Sequence, residues 1–292
     1  TVEPGVKVVK ANIGKVFEES EGAVVFKGEV HNMHTRVFIN SQGLPTYETK
    51  DIGLIMLKNQ DYQFNRSIVI TGNEQAEYMQ VVLKALEQIE PELAKKTTHI
   101  THGMVRLPGS QKMSSRLGNI VSADSVLEMA HAANTEVNKQ DNKDTALGAI
   151  KYAFLKHRLG ADLVYDPKES VSLEGNSGPY LQYAHARARS IIQKADNKER
   201  ETEITSFEAG ERSLARKISE YPEVVEKAVN ELLPHHIATY LYELAQVFNR
   251  FYENSRVVDD PREAIRLKLV EAYADRLKSG LELLNIPAPE RM

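Results

Sequence analysis

Two hydrophobic rhythms divide this chain, and together they exclude most single-domain folds. Up to about Ser122, short apolar runs of strand character alternate with segments of helical period; beyond it every apolar pattern repeats at helical spacing. Residues 35–39 alternate as a strand does and run into the turn signal Asn40-Ser41-Gln42-Gly43. Residues 51–61 place Ile52, Ile55 and Met56 at helical spacing. Residues 66–71 form a short apolar strand ending on Gly72 and Asn73. A helix over 75–90, closed by Pro91, and a further strand over 98–107 follow. This strand–helix–strand rhythm predicts a mostly parallel sheet covered by helices, with ligands at the carboxyl ends of the strands. Residues 71–75 and 103–116 occupy those ends.

The second rhythm predicts helices over 123–133, 145–158, 179–195, 207–219, 222–231, 235–253 and 261–284. Pro179, Pro222 and Pro261 stand where helices begin, the position that tolerates a missing N–H best. Helices joined by short linkers make a bundle, and the polar run 196–205 reads as an exposed loop. The fold class is therefore α/β followed by all-α, with domains at 1–140 and 141–292. A length of 292 residues accommodates two cores.

Composition narrows the chemistry. The chain contains no cysteine, which excludes disulfides, thiolate catalysis and cysteine-bound zinc and fits a cytoplasmic setting. No apolar run approaches the roughly 18 residues of a membrane span, so no membrane partner is expected. No signal-peptide pattern precedes the first helix, and the opening on Thr1 reads as the interior of a longer protein. A net charge of -4 argues against wholesale electrostatic capture of nucleic acid, which leaves local basic patches. Residues 175–195 form one: they hold no acidic residue, while Arg187, Arg189 and Lys194 recur.

Four groupings carry chemistry. Between Gly109 and Gly118, Lys112-Met113-Ser114-Ser115-Arg116 combines a compact ammonium, two hydroxyls and a planar guanidinium. These are donors suited to a polyphosphate, although a solvated basic loop has the same composition. Tyr47 and Asp51, four apart, share a helix face and could receive a guanidinium through a bidentate carboxylate and a ring. An acidic helix start beside a core tyrosine reads the same way. Asn73-Glu74-Gln75 lies at a predicted ligand edge and also suits a helix N-terminus. Tyr180, Tyr183 and Arg187 stand at i, i+3 and i+7 on one helix face, a pattern for stacking unpaired bases and also for half-buried core. Asn249-Arg250-Phe251-Tyr252 repeats that character. His99 and His102, three apart in a strand, point to opposite faces, and no metal site is expected.

Taken in order along the chain, these elements resemble the C-terminal half of the arginyl-tRNA synthetases, a class I aminoacyl-tRNA synthetase family. Residues 46–51 resemble the segment in which a tyrosine and an aspartate read the arginine side chain. Lys112–Arg116 with Gly118-Asn119 resembles the ATP-binding signature loop, its second lysine replaced by Ser115. Residues 172–187, Ser172-Leu173-Glu174-Gly175-Asn176-Ser177-Gly178-Pro179-Tyr180-Leu181-Gln182-Tyr183-Ala184-His185-Ala186-Arg187, are the most specific match and resemble the opening of the helical anticodon-binding domain. Pro289-Glu290-Arg291-Met292 is similar to the family's C-terminus.

The resemblance implies a partial Rossmann-like catalytic domain followed by a helical anticodon-binding domain, working as an arginine–tRNA ligase. It implies catalytic roles for Lys112, Ser114, Ser115 and Arg116, and ATP contacts from His102, Gly103, Met104, Lys112 and Met113. Arginine contacts would come from Tyr47, Asp51 and Gln75, and tRNA contacts from Tyr180, Tyr183, Arg187 and Met292. ATP with Mg²⁺ would enter as substrate, with no tightly bound cofactor. L-arginine and tRNA-Arg would be the other partners of a cytoplasmic monomer. The His-Ile-Gly-His-type signature that the family carries upstream does not occur here, so the isolated chain is expected to be inactive. A non-catalytic tRNA- or RNA-binding paralogue is the alternative; it would have no physical need to keep Lys112, Tyr47 and Asp51 together.

Overall fold

The computed structural model describes residues 1–109, 122–139, 141–195 and 206–292, so Lys112, Met113, Ser114, Ser115 and Arg116 lie outside the described residues. Packing separates two units, Thr1–Met104 and Val105–Met292.

The first unit opens on helix α1 (Val2–Ala11), followed by strands β1 (Glu18–Ser20), β2 (Ala23–Phe26) and β3 (Arg36–Ile39). These strands form an antiparallel meander with a bulge at Val24/Val25, where the sequence led us to expect parallel pairing. The reason is local. Glu21 and Gly22, both at positive φ (49° and 76°), make the tight reversal that antiparallel neighbours need. Helix α2 (Tyr47–Tyr62) leads to β4 (Ser67–Gly72), α3 (Ala76–Ile89), α4 (Pro91–Lys96) and β5 (Thr97–His102). Here the expected parallel pair forms, in register from Ser67↔Thr97 to Gly72↔His102.

Phe17, Phe26 and Phe38 pack edge and tilt, with the Phe17–Phe38 centroids 4.8 Å apart, over Val9, Ile52, Val81 and Val82. A smaller cluster, Ile55, Leu86 and Leu93, lies beside this core. The parallel pair is not fully covered: Ile68 and Ile70 on β4 are 42% and 65% exposed. Helices α1 and α2 touch through glycines. A Cβ on Gly53 would lie 2.0 Å from the Thr1 carbonyl oxygen, and one on Gly5 2.1 Å from that of Thr49.

The second unit begins with β6 (Val105–Arg106), so the strand expected over 98–107 is broken at Gly103 and Met104. Helices α5 (Ala123–Asn138) and α6 (Lys143–Leu155) follow, and then β7 (Leu163–Val164) pairs in parallel with β6. That strand contradicts the expectation that strands end near Ser122. At two residues it is too short for any periodicity, and its neighbours hold it: Arg106 Nη2 meets Asp162 Oδ2 at 2.8 Å and the Tyr165 N–H donates to the Arg106 carbonyl at 2.7 Å.

After the short α7 (Pro167–Ser170) come α8 (Gly178–Lys194), α9 (Ala209–Ser219), α10 (Tyr221–Glu231), α11 (His235–Asn254) and α12 (Glu263–Leu283). Helix α8 starts where its sequence directs: Ser177 Oγ accepts from the Tyr180 N–H at 3.1 Å, and Pro179 sits in the first turn.

One continuous core, including Leu181, Leu241, Leu244, Phe248, Tyr273 and Leu277, binds α8, α9, α11 and α12; Phe248 and Tyr273 stack 3.9 Å apart. Around it lies an ionic network. Arg266 Nε meets Glu211 Oε1 at 3.0 Å, its Nη2 meets Glu208 at 2.9 Å and its Nη1 meets Asp260 at 3.2 Å, while Arg262 also binds Glu211. The Arg262 guanidinium, ahead of the other donors, holds the buried Glu211 carboxyl down to about 2. Here too two helices meet through glycines. A Cβ on Gly178 would lie 2.3 Å from the Gly148 carbonyl oxygen, and one on Gly148 2.8 Å from Gln182 Oε1.

Candidate functional site

The first unit holds a cavity of about 470 Å³ in which Tyr47, Asp51 and Gln75 meet. Helix α2 supplies Tyr47 and Asp51 one turn apart, and Gln75 ends the short turn that follows β4. Arg36, Glu48, Lys58, Thr71 and Tyr78 complete the polar wall. Tyr78 Oη donates to Asp51 Oδ2 at 2.5 Å, while Arg36, from β3, lies 5.8 Å from the Tyr78 ring centroid and 3.8 Å from Glu48. Burial, then the hydrogen bond to Asp51, keeps the Tyr78 phenol protonated well above its ordinary range, so it remains a donor at neutral pH. A carboxylate has about four lone-pair sites, so one phenol leaves Asp51 capacity for a cation. The floor is apolar, from Leu54, Ile55, Val69 and Met79.

Tyr47 stands at the rim, 76% exposed, with the Lys50 ammonium 4.9 Å from its ring centroid; the ring already accepts a cation. The arrangement can take a slender chain with a cationic, multi-donor end.

At the carboxyl end of the neighbouring strand, His102 pairs in register with Gly72, and its Nδ1 lies 3.0 Å from the Gly103 carbonyl oxygen. His102 and Met104 are exposed, and neither these two nor Gly103 lines the cavity. Beside them Thr71 Oγ1 meets His99 Nε2 at 2.8 Å; burial lowers the pKa of that imidazole. Among the described residues no three His, Cys, Asp or Glu side chains are placed to hold a metal ion, and no helix is long and apolar enough to cross a membrane.

The second unit holds a cavity of about 560 Å³ that brings together Tyr183, Arg187 and Met292, with Lys194, Tyr252 and Arg291 around them. The Arg187 guanidinium lies over the Tyr252 ring, 4.5 Å from its centroid, in the cavity that the 47% exposed Tyr183 also lines. Tyr180 does not line it. Half-buried one turn earlier, its hydroxyl accepts from Asn249 Nδ2 at 2.8 Å and its ring meets Tyr242 edge-on. Tyr252 and Arg291 are absent from the sequence-derived contacts. The aromatic and basic run 249–252 was the only signal for Tyr252, and Arg291 was marked only by its place in the C-terminal segment 289–292.

The family description "tRNA synthetases class I (R), catalytic domain" matches residues 5–166. The chain belongs to the class I arginyl-tRNA synthetase family. Residues 181–292 match the "DALR anticodon binding domain". An arginine–tRNA ligase of Porphyromonas gingivalis is 33% identical over 302 residues, covering 96% of this chain and 50% of that protein. One from Flavobacterium psychrophilum is 32% identical, covering 99% and 51%. In structure, the Thermus thermophilus arginyl-tRNA synthetase superposes with a TM-score of 0.87 at 29% identity, over 100% of this chain and 58% of that one. The chain thus spans about half the length of the curated relatives it matches. A Rossmann-like catalytic region and a helical domain are the fold class that the family members share with it.

Proposed function

We propose that this chain is the arginine-reading and anticodon-binding portion of an arginine–tRNA ligase. The observation that supports the reading is the first cavity, which Tyr47, Asp51 and Gln75 line together, with the Asp51 carboxylate available to a guanidinium. The ligase forms arginyl-adenylate from L-arginine and Mg-ATP, releasing pyrophosphate, and then esterifies tRNA-Arg. Asp51 selects arginine over lysine, because only a guanidinium offers two parallel N–H donors to one carboxylate. The arginine α-carboxylate is held in line with the α-phosphate, and Lys112 and Arg116, with the hydroxyls of Ser114 and Ser115, stabilise charge on the departing pyrophosphate. His102, Gly103, Met104 and Met113 are assigned contacts with ATP. Catalytic residues fall in 1–140. Residues 141–292 bind the anticodon stem and loop through Tyr183, Arg187 and Met292, with Tyr180 bracing α8 against α11. The reading extends to a cytoplasmic monomer.

Ile68 and Ile70, exposed on one face of a two-stranded parallel sheet, mark the face that the remainder of the catalytic domain covers. Accordingly the 292-residue chain alone should give no arginine-dependent ATP–pyrophosphate exchange; robust exchange would overturn that division of labour. Two titrations test the rest. L-arginine should displace L-lysine from the first cavity, and equal affinities would remove the selectivity assigned to Asp51. In a salt titration tRNA-Arg should bind more tightly than an unrelated tRNA, and no difference would remove the anticodon assignment.

A further inference from the structure

Helix α8 carries a second stripe beside Tyr183 and Arg187: Gln182, His185 and Arg189, again at i, i+3 and i+7. All three reach one short segment, residues 287–290. Gln182 Nε2 donates to the Pro287 carbonyl at 2.9 Å, His185 Nδ1 lies 2.9 Å from the Pro289 carbonyl oxygen, and Arg189 Nε lies 2.5 Å from Glu290 Oε2. Gln182 and His185 are completely buried.

The chemistry of the segment explains the choice of partners. Pro287 and Pro289 have no N–H, so this stretch cannot be held by a regular backbone ladder and offers chiefly carbonyl oxygens. A carbonyl only accepts, so His185 carries its proton on Nδ1. Its Nε2 is then the lone-pair nitrogen, and Nε2 is buried without a hydrogen-bond partner among the described residues. A second proton there would be an unpaired buried N–H, and desolvation accordingly lowers the pKa of the ring. The neutral Nδ1–H imidazole is the form that fits. Directly beyond the held carbonyls, Glu290, Arg291 and Met292 line the 560 Å³ cavity.

We infer that Gln182, His185 and Arg189 form a latch that seats residues 287–290 on α8 and so positions Arg291 and Met292 for nucleic-acid binding. The three are positioning residues, and their role in binding rests on the proposed RNA occupancy of that cavity.

The test compares the chain with His185→Leu, His185→Asn, Arg189→Gln and Tyr183→Ala. Each is read by the ¹³C-methyl resonance of Met292 and by tRNA-Arg affinity across a salt titration, with thermal melting as the folding control. His185→Leu should move the Met292 methyl toward its random-coil position, weaken tRNA-Arg binding about tenfold and lower the salt slope by about one released ion as Arg291 disengages. His185→Asn, whose amide N–H₂ can take the place of Nδ1–H, should restore both readouts. Arg189→Gln, at a partly exposed site outside the core, should give the same direction of change with an unaltered melting temperature. Tyr183→Ala should weaken binding and leave the methyl in place.

An unmoved methyl in both His185→Leu and Arg189→Gln overturns the latch. A moved methyl with unchanged tRNA-Arg affinity overturns its role in binding. A wild-type chain that binds no tRNA-Arg overturns the reading of the cavity itself, and the latch is then judged on the methyl alone.

Discussion

The two units of this molecule solve the same problem differently. Each must hold one helix, α2 or α8, so that a tyrosine and a charged partner face a cavity. The second unit does so with a single continuous core and a buried ionic network that ties α9 to α12. The first does so with two smaller clusters and a parallel strand pair whose Ile68 and Ile70 stay in water. The difference teaches that the second cavity belongs to a bundle with one core of its own, whereas the first belongs to a sheet left partly uncovered.

The sharpest way to break this comparison is to attack the network of the second unit. Glu211→Gln removes the carboxylate that Arg262 and Arg266 share, leaving them Glu208 and Asp260, and should cost about 3–4 kcal/mol in urea unfolding of that unit, with the first unit unaffected. A pH titration checks the same group. Its folded pKa of about 2 lies below the ordinary carboxylate value of 4.5. Its stabilisation is therefore complete above that ordinary value and is lost as pH falls from about 4.5 through about 2. The variant should lack this dependence. One melting transition shared by both units would erase the distinction drawn between them.

Next in size is Asp51→Asn, which should weaken L-arginine binding by about 2–4 kcal/mol, read by calorimetry, without lowering the melting temperature. Tyr78→Phe should show a smaller loss of the same sign, of about 1 kcal/mol, because the carboxylate survives and only its orientation is freed. Glycine substitutions come third. Gly53→Ala and Gly178→Ala should each destabilise their own unit by about 1–3 kcal/mol, although alanine normally favours a helix. The smallest effect is the most discriminating: Ile70→Lys should change the stability of this chain by less than about 0.5 kcal/mol, since the side chain is already solvated. In a reconstitution with the rest of a synthetase the same change should abolish association.

What could be read from the sequence was whatever local spacing encodes. The helix carrying Tyr47 and Asp51, the strand pair flanking α3 and the start of α8 at Ser177-Gly178-Pro179 all follow from periodicity, caps and prolines. Helix α1 was hidden because Pro4 and Gly5 interrupt its Val2, Val6, Val9 stripe, and Gly5 is there to let α2 approach. The meander hid behind strands of three and four residues. Both sites were half visible. Tyr47 and Asp51 are neighbours on one helix, but Tyr78 reaches Asp51 only because the fold brings α3 beside α2. Likewise, Gln182 and Pro287 are 105 residues apart, and no spacing rule links them.

The glycine seams between α1 and α2, and between α6 and α8, bear on how these sites can evolve. At Gly53 and at Gly178 the neighbouring backbone occupies the place of a side chain. Neither crossing can therefore be adjusted in small volume increments, as an ordinary leucine–alanine interface can. The helix axes behave as fixed mounts. Changes in what the two cavities accept are then confined to interchangeable fittings, the side chains at their rims. Recombination between relatives should succeed when breakpoints keep both members of a seam from the same parent.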